Sequence, residues 1–556
     1  MKNYILFVIV LMIAMSGVVF GQSRCLTPEF HNAKIQLYEK YGTPEPRLRA
    51  ETTDHVVGDT MTFWRWDLSN MPPAWILEPA TCRAVTDYCY VFVADNQWNV
   101  HMDEADVEQV ALYWEEETIA DPTLGIYDLD VQNFGPPPDM LDNDDHIYIF
   151  YSELGSFNGS IFDGYFSVFN EYTEQEAQGM GGHSNEVEMF YMSCFPGDPV
   201  SPIRISVLAH EFEHMIHWGI DPDEEIWVDE GCAEYAMLLF GMPDPIVQFP
   251  QNPDDDLTVW DNQFLDYVQT FMFFTYVSDH YGGASTLTEI VAEQQNSTYG
   301  IENVLSNLGY SETFADLFVN WTMANHYHSF HPDYSVDDSL YIYFSIDPPE
   351  FSFSGVYANY PVGPVTKSVN RWAADYYSFG LQEPTTLTLN FEGEPTIEYG
   401  LGLFPVYGPD IYNAERVFPE NGIWERTLGP AYSILGAYFM VSLLGGPTST
   451  TYQIGASIST GIGGDQSTPT DFELTNCYPN PFNASTTIEY SLSQPVDVAL
   501  SIYNIRGQKI ETIFQGTKNA GEHSVVWNAD NVPSGIYFAR LQSSSESETI
   551  RMVLLK

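Results

Sequence analysis

Two histidines four residues apart, with a glutamate directly after the first, stand in Leu208-Ala209-His210-Glu211-Phe212-Glu213-His214-Met215-Ile216-His217-Trp218. On a helix, positions i and i+4 share a face, so His210 and His214 can each offer an imidazole nitrogen to one cation while Glu211 stands beside them as a general base. A catalytic zinc takes three protein ligands and keeps a further position open. Glu230 lies downstream in Ile226-Trp227-Val228-Asp229-Glu230-Gly231-Cys232-Ala233-Glu234-Tyr235-Ala236. If this second helix packs antiparallel to the first, Glu230 reaches the same ion. Glu234, one turn later, then suits a carboxylate that orients a ligating histidine, with an ordinary solvated helix charge as the alternative. Asp229 and His217 are rivals for the third ligand, although His217 is turned off the His210–His214 face.

Apolar periodicity predicts the helices that carry these groups over 206–218 and 225–240, with further helices over 264–280, 286–293 and 311–325. Tyr267 and His280, on the helix after Glu230, are candidate donors to a developing oxyanion. Upstream, β-branched and aromatic runs at 89–94 and 146–151 predict strands, 103–118 a helix, and the prolines of 134–139 a loop. The run Asn185–Ser193, with Glu186 and Glu188 alternating with Val187 and Met189, reads as a strand with one polar face. From about residue 341, short aromatic and Thr-rich runs broken by Gly and Pro predict a β-sandwich.

The chain has 556 residues and a formal net charge of −58. Its length implies several domains, and its acidity disfavours binding to phosphate backbones or anionic lipid. Residues 1–21 read as a signal peptide, cut after Val19-Phe20-Gly21, and no other apolar run is long enough for an integral membrane span. Among the six cysteines, Cys82 and Cys89 are the expected disulfide pair. Asp139, Asp142 and Asp144 precede a strand in an oxygen-rich cluster that suits Ca2+ outside the cell, or else forms a solvated acidic turn.

Together, the HExxH stretch and Trp227-Val228-Asp229-Glu230-Gly231-Cys232-Ala233-Glu234-Tyr235 resemble the gluzincin metallopeptidases, the hyicolysin-like bacterial peptidases above all. The resemblance implies an α+β zincin-like fold, Zn2+ held by His210, His214 and Glu230, Glu211 as catalytic base, and protein or peptide substrates, with Asn185–Ser193 either an edge strand on which an extended substrate pairs or an ordinary core strand. Asp229 stands where such enzymes often carry Asn. At the other end, Cys477-Tyr478-Pro479-Asn480-Pro481-Phe482-Asn483, Ile502-Tyr503-Asn504-Ile505-Arg506-Gly507, Ser534-Gly535-Ile536-Tyr537-Phe538 and Val553-Leu554-Leu555-Lys556 resemble a type IX secretion sorting domain, which implies the type IX machinery as partner and an extracellular or surface location.

The expected organisation is multidomain: a signal peptide at 1–21, an N-terminal segment at 22–80 that is a candidate pro-segment, an α+β catalytic domain at 81–335, and then two all-β sandwich domains, one at 341–460 and, after a linker at 461–470, the sorting domain at 471–556. The expected function is a secreted zinc metalloendopeptidase, and the alternatives are a catalytically silent adhesin on the same scaffold and a zinc aminopeptidase.

Overall fold

The computed structural model describes residues 24–44, 55–69, 73–139, 141–142, 144–157, 160–328, 340–382, 385–407, 410–411, 414–429, 434–459, 472–478, 480, 482–483, 485–518, 521–529, 532–543 and 547–556. The expected signal peptide and the 461–470 linker lie outside them.

The N-terminal region is α/β. Its strands are β1 (Arg24–Cys25), β2 (Thr60–Asp67), β3 (Ala74–Val85), β4 (Cys89–Ala94), β5 (Ile147–Ser152), β6 (Ser156–Phe157), β7 (Ser160–Phe166) and β8 (Met189–Ser193). They form one sheet in the order β1-β7-β8-β5-β4-β3-β2, with β6 paired to β7. The centre, β4, β5 and β8, is parallel, and every residue of these three strands is buried. Strands covered on both faces read as unbroken apolar runs, which is why 89–94 was legible as a strand.

Around the sheet lie α1 (His31–Tyr41), α2 (Glu104–Glu115), α3 (Ile126–Asn133), α4 (Glu174–Gln178), α5 (Pro202–Ile220), α6 (Ile226–Phe240), α7 (Phe264–His280), α8 (Ala284–Ala292), α9 (Ser297–Asn307) and α10 (Phe314–Tyr327). Helix α5 is buried from Arg204 to Trp218 and packs against β7, α6 and α3. Gly231 permits the α6–α7 approach beside Glu230: a Cβ there would lie 2.2 Å from Phe274.

Three expectations change here. The boundary foreseen at residue 80 falls inside β3, and β1, β2 and α1 belong to the α/β region. Cys82 and Cys89 form no disulfide. The β3–β4 register sets Cys82 opposite Phe92 rather than Cys89, and none of the six cysteines is in a disulfide. The Asn185–Ser193 run is not an edge: β8 lies between β7 and β5, while Glu186 precedes it with a φ of 55°.

The chain divides into two compact units, one of Met1–Gly380, Leu389–Arg426 and Gly436–Ala456, the other of Leu381–Thr388, Thr427–Leu435 and Ser457–Lys556. In the first, Ala374–Gly380 pairs antiparallel with 436–442 and Val362–Asn370 with 449–456. This β-sheet region is fastened to α10. Tyr376 OH donates to Thr322 O at 2.9 Å, and Arg416 donates to Asn320 Oδ1 at 2.9 Å. The boundary foreseen near 341 therefore lies within one unit. In the second, Glu473–Tyr478, Ser485–Leu492 and Gly521–Asn528 form one sheet and Lys509–Lys518, Val496–Asn504, Gly535–Gln542 and Ser547–Leu554 another, closed over a core that includes Trp527, Ile502 and Leu541.

Candidate metal centre

Helix α5 presents His210, Glu211 and His214 to α6, which presents Asp229, Glu230 and Glu234 in return. His214 Nε2 lies 3.1 Å from His210 Nε2 and 3.4 Å from Glu230 Oε1, and His210 Nε2 lies 3.4 Å from Glu230 Oε2. His210, Glu211, His214 and Glu230 are each exposed by 2% or less. Burial at this depth costs several kcal/mol per unpaired charge, so the surrounding partners decide whether the group is tolerated.

Those partners extend behind the histidines. His214 Nδ1 donates to Asp229 Oδ1 at 2.8 Å, and Asp229 Oδ2 receives Lys34 Nζ from α1 at 2.7 Å. With its proton at Nδ1, His214 presents the Nε2 lone pair to the centre. On the other side, His210 Nδ1 is 3.4 Å from Glu234 Oε1. His217 is absent from this constellation: its Nδ1 donates to Glu213 Oε1 at 3.2 Å. Asp229 thus lies behind His214, leaving Glu230 beside the two Nε2 atoms.

Charge follows geometry. Burial opposes ionisation of Glu230, but His214 and His210 hold its carboxyl below the usual range. Burial likewise acts against Asp229, yet Lys34 and His214 hold it well below. Burial would depress His214, whereas Glu230 and Asp229 lift it well above an ordinary imidazole. Burial pushes Glu211 up against the pull of His210 and His214, and pushes Glu234 well up with help from Asp244 and Glu230.

Two nitrogens bound to one tetrahedral zinc stand roughly 3.3 Å apart, and a nitrogen and a carboxylate oxygen roughly 3.4 Å. The observed separations fit. Glu230 Oε2, buried and without a hydrogen bond, is the orphaned acceptor that a cation at this point would satisfy. The donor set of two imidazoles and a carboxylate is one that zinc accepts.

Glu211 Oε2 accepts from Thr27 Oγ1 at 2.9 Å, while Oε1 has no hydrogen bond. The close approach of β7 at Gly164, where a Cβ would lie 3.1 Å from Glu211 Oε1, leaves room for that oxygen. Tyr267 OH donates to Cys25 O at 3.1 Å, so it faces the centre from α7. His280 does not: its Nε2 donates to Ile342 O at 2.7 Å.

Sequence reasoning missed Cys25, Thr27 and Lys34, which join the centre from more than 180 positions away. No spacing rule links them to α5. Lys34 alone carried a signal, as a cation inside a helix of a strongly acidic chain. The acidic cluster also changes membership. Asp139 and Asp142 converge with Glu188, whereas Asp144 turns to Tyr90 OH at 2.9 Å and to its own loop at His146 N.

Residues 476–555 match the profile of the secretion system C-terminal sorting domain. This part of the chain is a sorting domain. With it, the protein is exported to the cell surface or the extracellular space. Among the described residues no helix is long and apolar enough to cross a membrane. The neutral metalloprotease ShpI of Staphylococcus hyicus is 24% identical over 201 residues, covering 31% of this chain and 44% of that protein. The chain therefore aligns with less than half the length of this relative. Among solved structures, PorZ of the Porphyromonas gingivalis type IX secretion system is 21% identical over 19% of this chain and 14% of its own, with a TM-score of 0.13. PorU of the same organism is 8% identical over 31% and 30%, with a TM-score of 0.14.

Proposed function

We propose that the protein is a secreted zinc metalloendopeptidase of gluzincin type. The observation that carries this reading is the meeting of His210 Nε2, His214 Nε2 and the Glu230 carboxylate in a buried centre, with Glu211 beside them. Similarity to a neutral metalloprotease supports it, and the sorting domain supplies the extracellular setting.

His210, His214 and Glu230 would hold the zinc. When bound, zinc supplies Lewis acidity, polarising a peptide carbonyl and bringing the deprotonation of water down to a pKa of about 7. Glu211 Oε1 takes a proton from the attacking water and returns it to the leaving amine nitrogen. Gly164 keeps the space in front of that atom clear. Tyr267 OH, already donating to a main-chain carbonyl, donates to the substrate carbonyl as negative charge develops on it. Lys34 and Asp229 fix the ring of His214, and Glu234 faces that of His210.

The test uses protein recovered from the culture medium, with metal analysis and a peptide blocked at both ends. Zinc at one ion per chain and internal cleavage are expected. Glu211→Gln is expected to keep the metal and lower kcat by about 10²- to 10⁴-fold. Cleavage confined to peptides with a free amino terminus would replace the reading with an aminopeptidase. Absence of zinc would overturn it.

A further inference from the structure

The metal-ligating atoms include one the proposed reaction does not use. Cys25 Sγ lies 3.7 Å from His214 Nε2, and one ligand atom from each of Cys25, His210, His214 and Glu230 falls within 4.8 Å of every other. A thiolate sulfur and an imidazole nitrogen on one tetrahedral zinc stand roughly 3.6 Å apart. Glu230, whose buried Oε2 has no hydrogen bond, belongs to the same cluster as the sulfur.

The backbone around Cys25 is held as firmly as its sulfur. Strand β1 runs parallel along β7, with Arg24 opposite Phe162 and Cys25 opposite Gly164. Leu26 N donates to Gly164 O at 3.1 Å. Thr27 Oγ1 receives Phe166 N and donates to Glu211 Oε2, each at 2.9 Å. Tyr267 OH holds the Cys25 carbonyl. One short segment, extended at Arg24–Cys25 and turning at Leu26, thus meets every group that the reaction needs: the ligand cluster, the base, the carbonyl donor and the sheet edge along which an extended peptide would pair.

We propose that Cys25 is a fourth protein ligand to the metal and that Arg24–Thr27 is a built-in blocking segment that keeps the enzyme latent. The proposal rests on the zinc peptidase reading given above. Four protein ligands make a closed site of the structural kind, whereas catalysis needs an open position. Thiolate is a soft ligand well suited to zinc, so the closed form is favoured until the strand leaves. Activation is withdrawal of Arg24–Thr27 from β7. Helix α1 stays behind, because Lys34 is needed at Asp229 for the orientation of His214.

The experiment compares the full chain as wild type, Cys25→Ala and Thr27→Val, each loaded with zinc or with cobalt(II). In the wild type, the cobalt form is expected to show thiolate-to-metal charge-transfer absorption, and Cys25, identified by peptide mapping, to resist alkylation until a chelator removes the metal. Cys25→Ala is expected to lose the absorption, keep one metal per chain and cleave a blocked peptide with kcat/KM raised about tenfold or more. Thr27→Val is expected to keep the absorption, since it leaves the sulfur in place, and so reports on ligation if Cys25→Ala fails to fold. Metal bound in the wild type without the sulfur band would overturn the ligation while leaving the peptidase reading intact. A sulfur band with equal cleavage by wild type and Cys25→Ala would overturn latency. Folded protein that binds no metal in any form would overturn the peptidase reading itself.

Discussion

At His210, His214 and Glu230, the groups facing the centre are backed by partners from other elements: Asp229 and Lys34 behind His214, and Glu234 behind His210. At Asp139, Asp142 and Glu188 the plan differs, because three carboxylates converge and burial, together with Glu188, pushes Asp142 up to about 8. Glu171, fully buried and with neither oxygen hydrogen-bonded, adds to that crowd and is itself raised by burial, Glu188 and Asp142. The first cluster has its charges matched by the protein and is shaped before any ion arrives. In the second, burial keeps a proton on Asp142 at neutral pH, and a cation would have to displace it.

Removing the backing of the first cluster is expected to have the largest effect. Asp229→Asn keeps the size of the side chain but strips the negative charge from between Lys34 and His214. Zinc affinity, measured by competition with a chromophoric chelator, should fall about 10- to 100-fold. An unchanged affinity would mean that the two clusters do not differ in the way described.

Calcium tests the second cluster. At a hundredfold excess over its Kd, a bound ion stabilises the folded state by about 2.7 kcal/mol, and thermal unfolding should shift upward accordingly. Asp142→Asn should abolish the shift, while Asp144→Asn, whose carboxylate is turned to Tyr90, should leave it in place. An identical response from both variants would return Asp144 to the cluster.

The smallest effect concerns a third acidic group, in the loop before α7. Burial, then Asp261 and Asp256, raises Asp255 to about 7 against about 3.9 unfolded. The folded state therefore binds more protons between these values. The contribution of Asp255 is fully present below about pH 4 and lost as pH rises through about 7. Unfolding temperature followed from pH 4 to 8 should decline less steeply in Asp255→Asn than in the wild type.

What the sequence made legible was local. The HExxH face and the Glu230 turn each lie within one helix, and the buried run 89–94 coincides with β4. Helix α9, Ser297–Asn307, escaped because Gly300 and its polar residues blur the apolar period. Strands β2 and β3 went unread within a segment set aside as a candidate pro-segment, and the closeness of Cys82 and Cys89 in sequence concealed a register that keeps them from facing each other. Lys34, Thr27 and Cys25 are outside the reach of any periodicity, since their partners lie 195, 184 and 189 residues away.

Those separations also bear on how the molecule is made. The Lys34–Asp229 ion pair closes a loop of 195 residues that contains β2 to β8, and contacts of such span form late because the entropy of closing the loop is lost before the contact repays it. A nascent chain that has not yet passed Asp229 holds α1 without the helix that Lys34 binds. The set of His210, His214 and Glu230 is complete only once α6 has been made, so its first residues wait for its last.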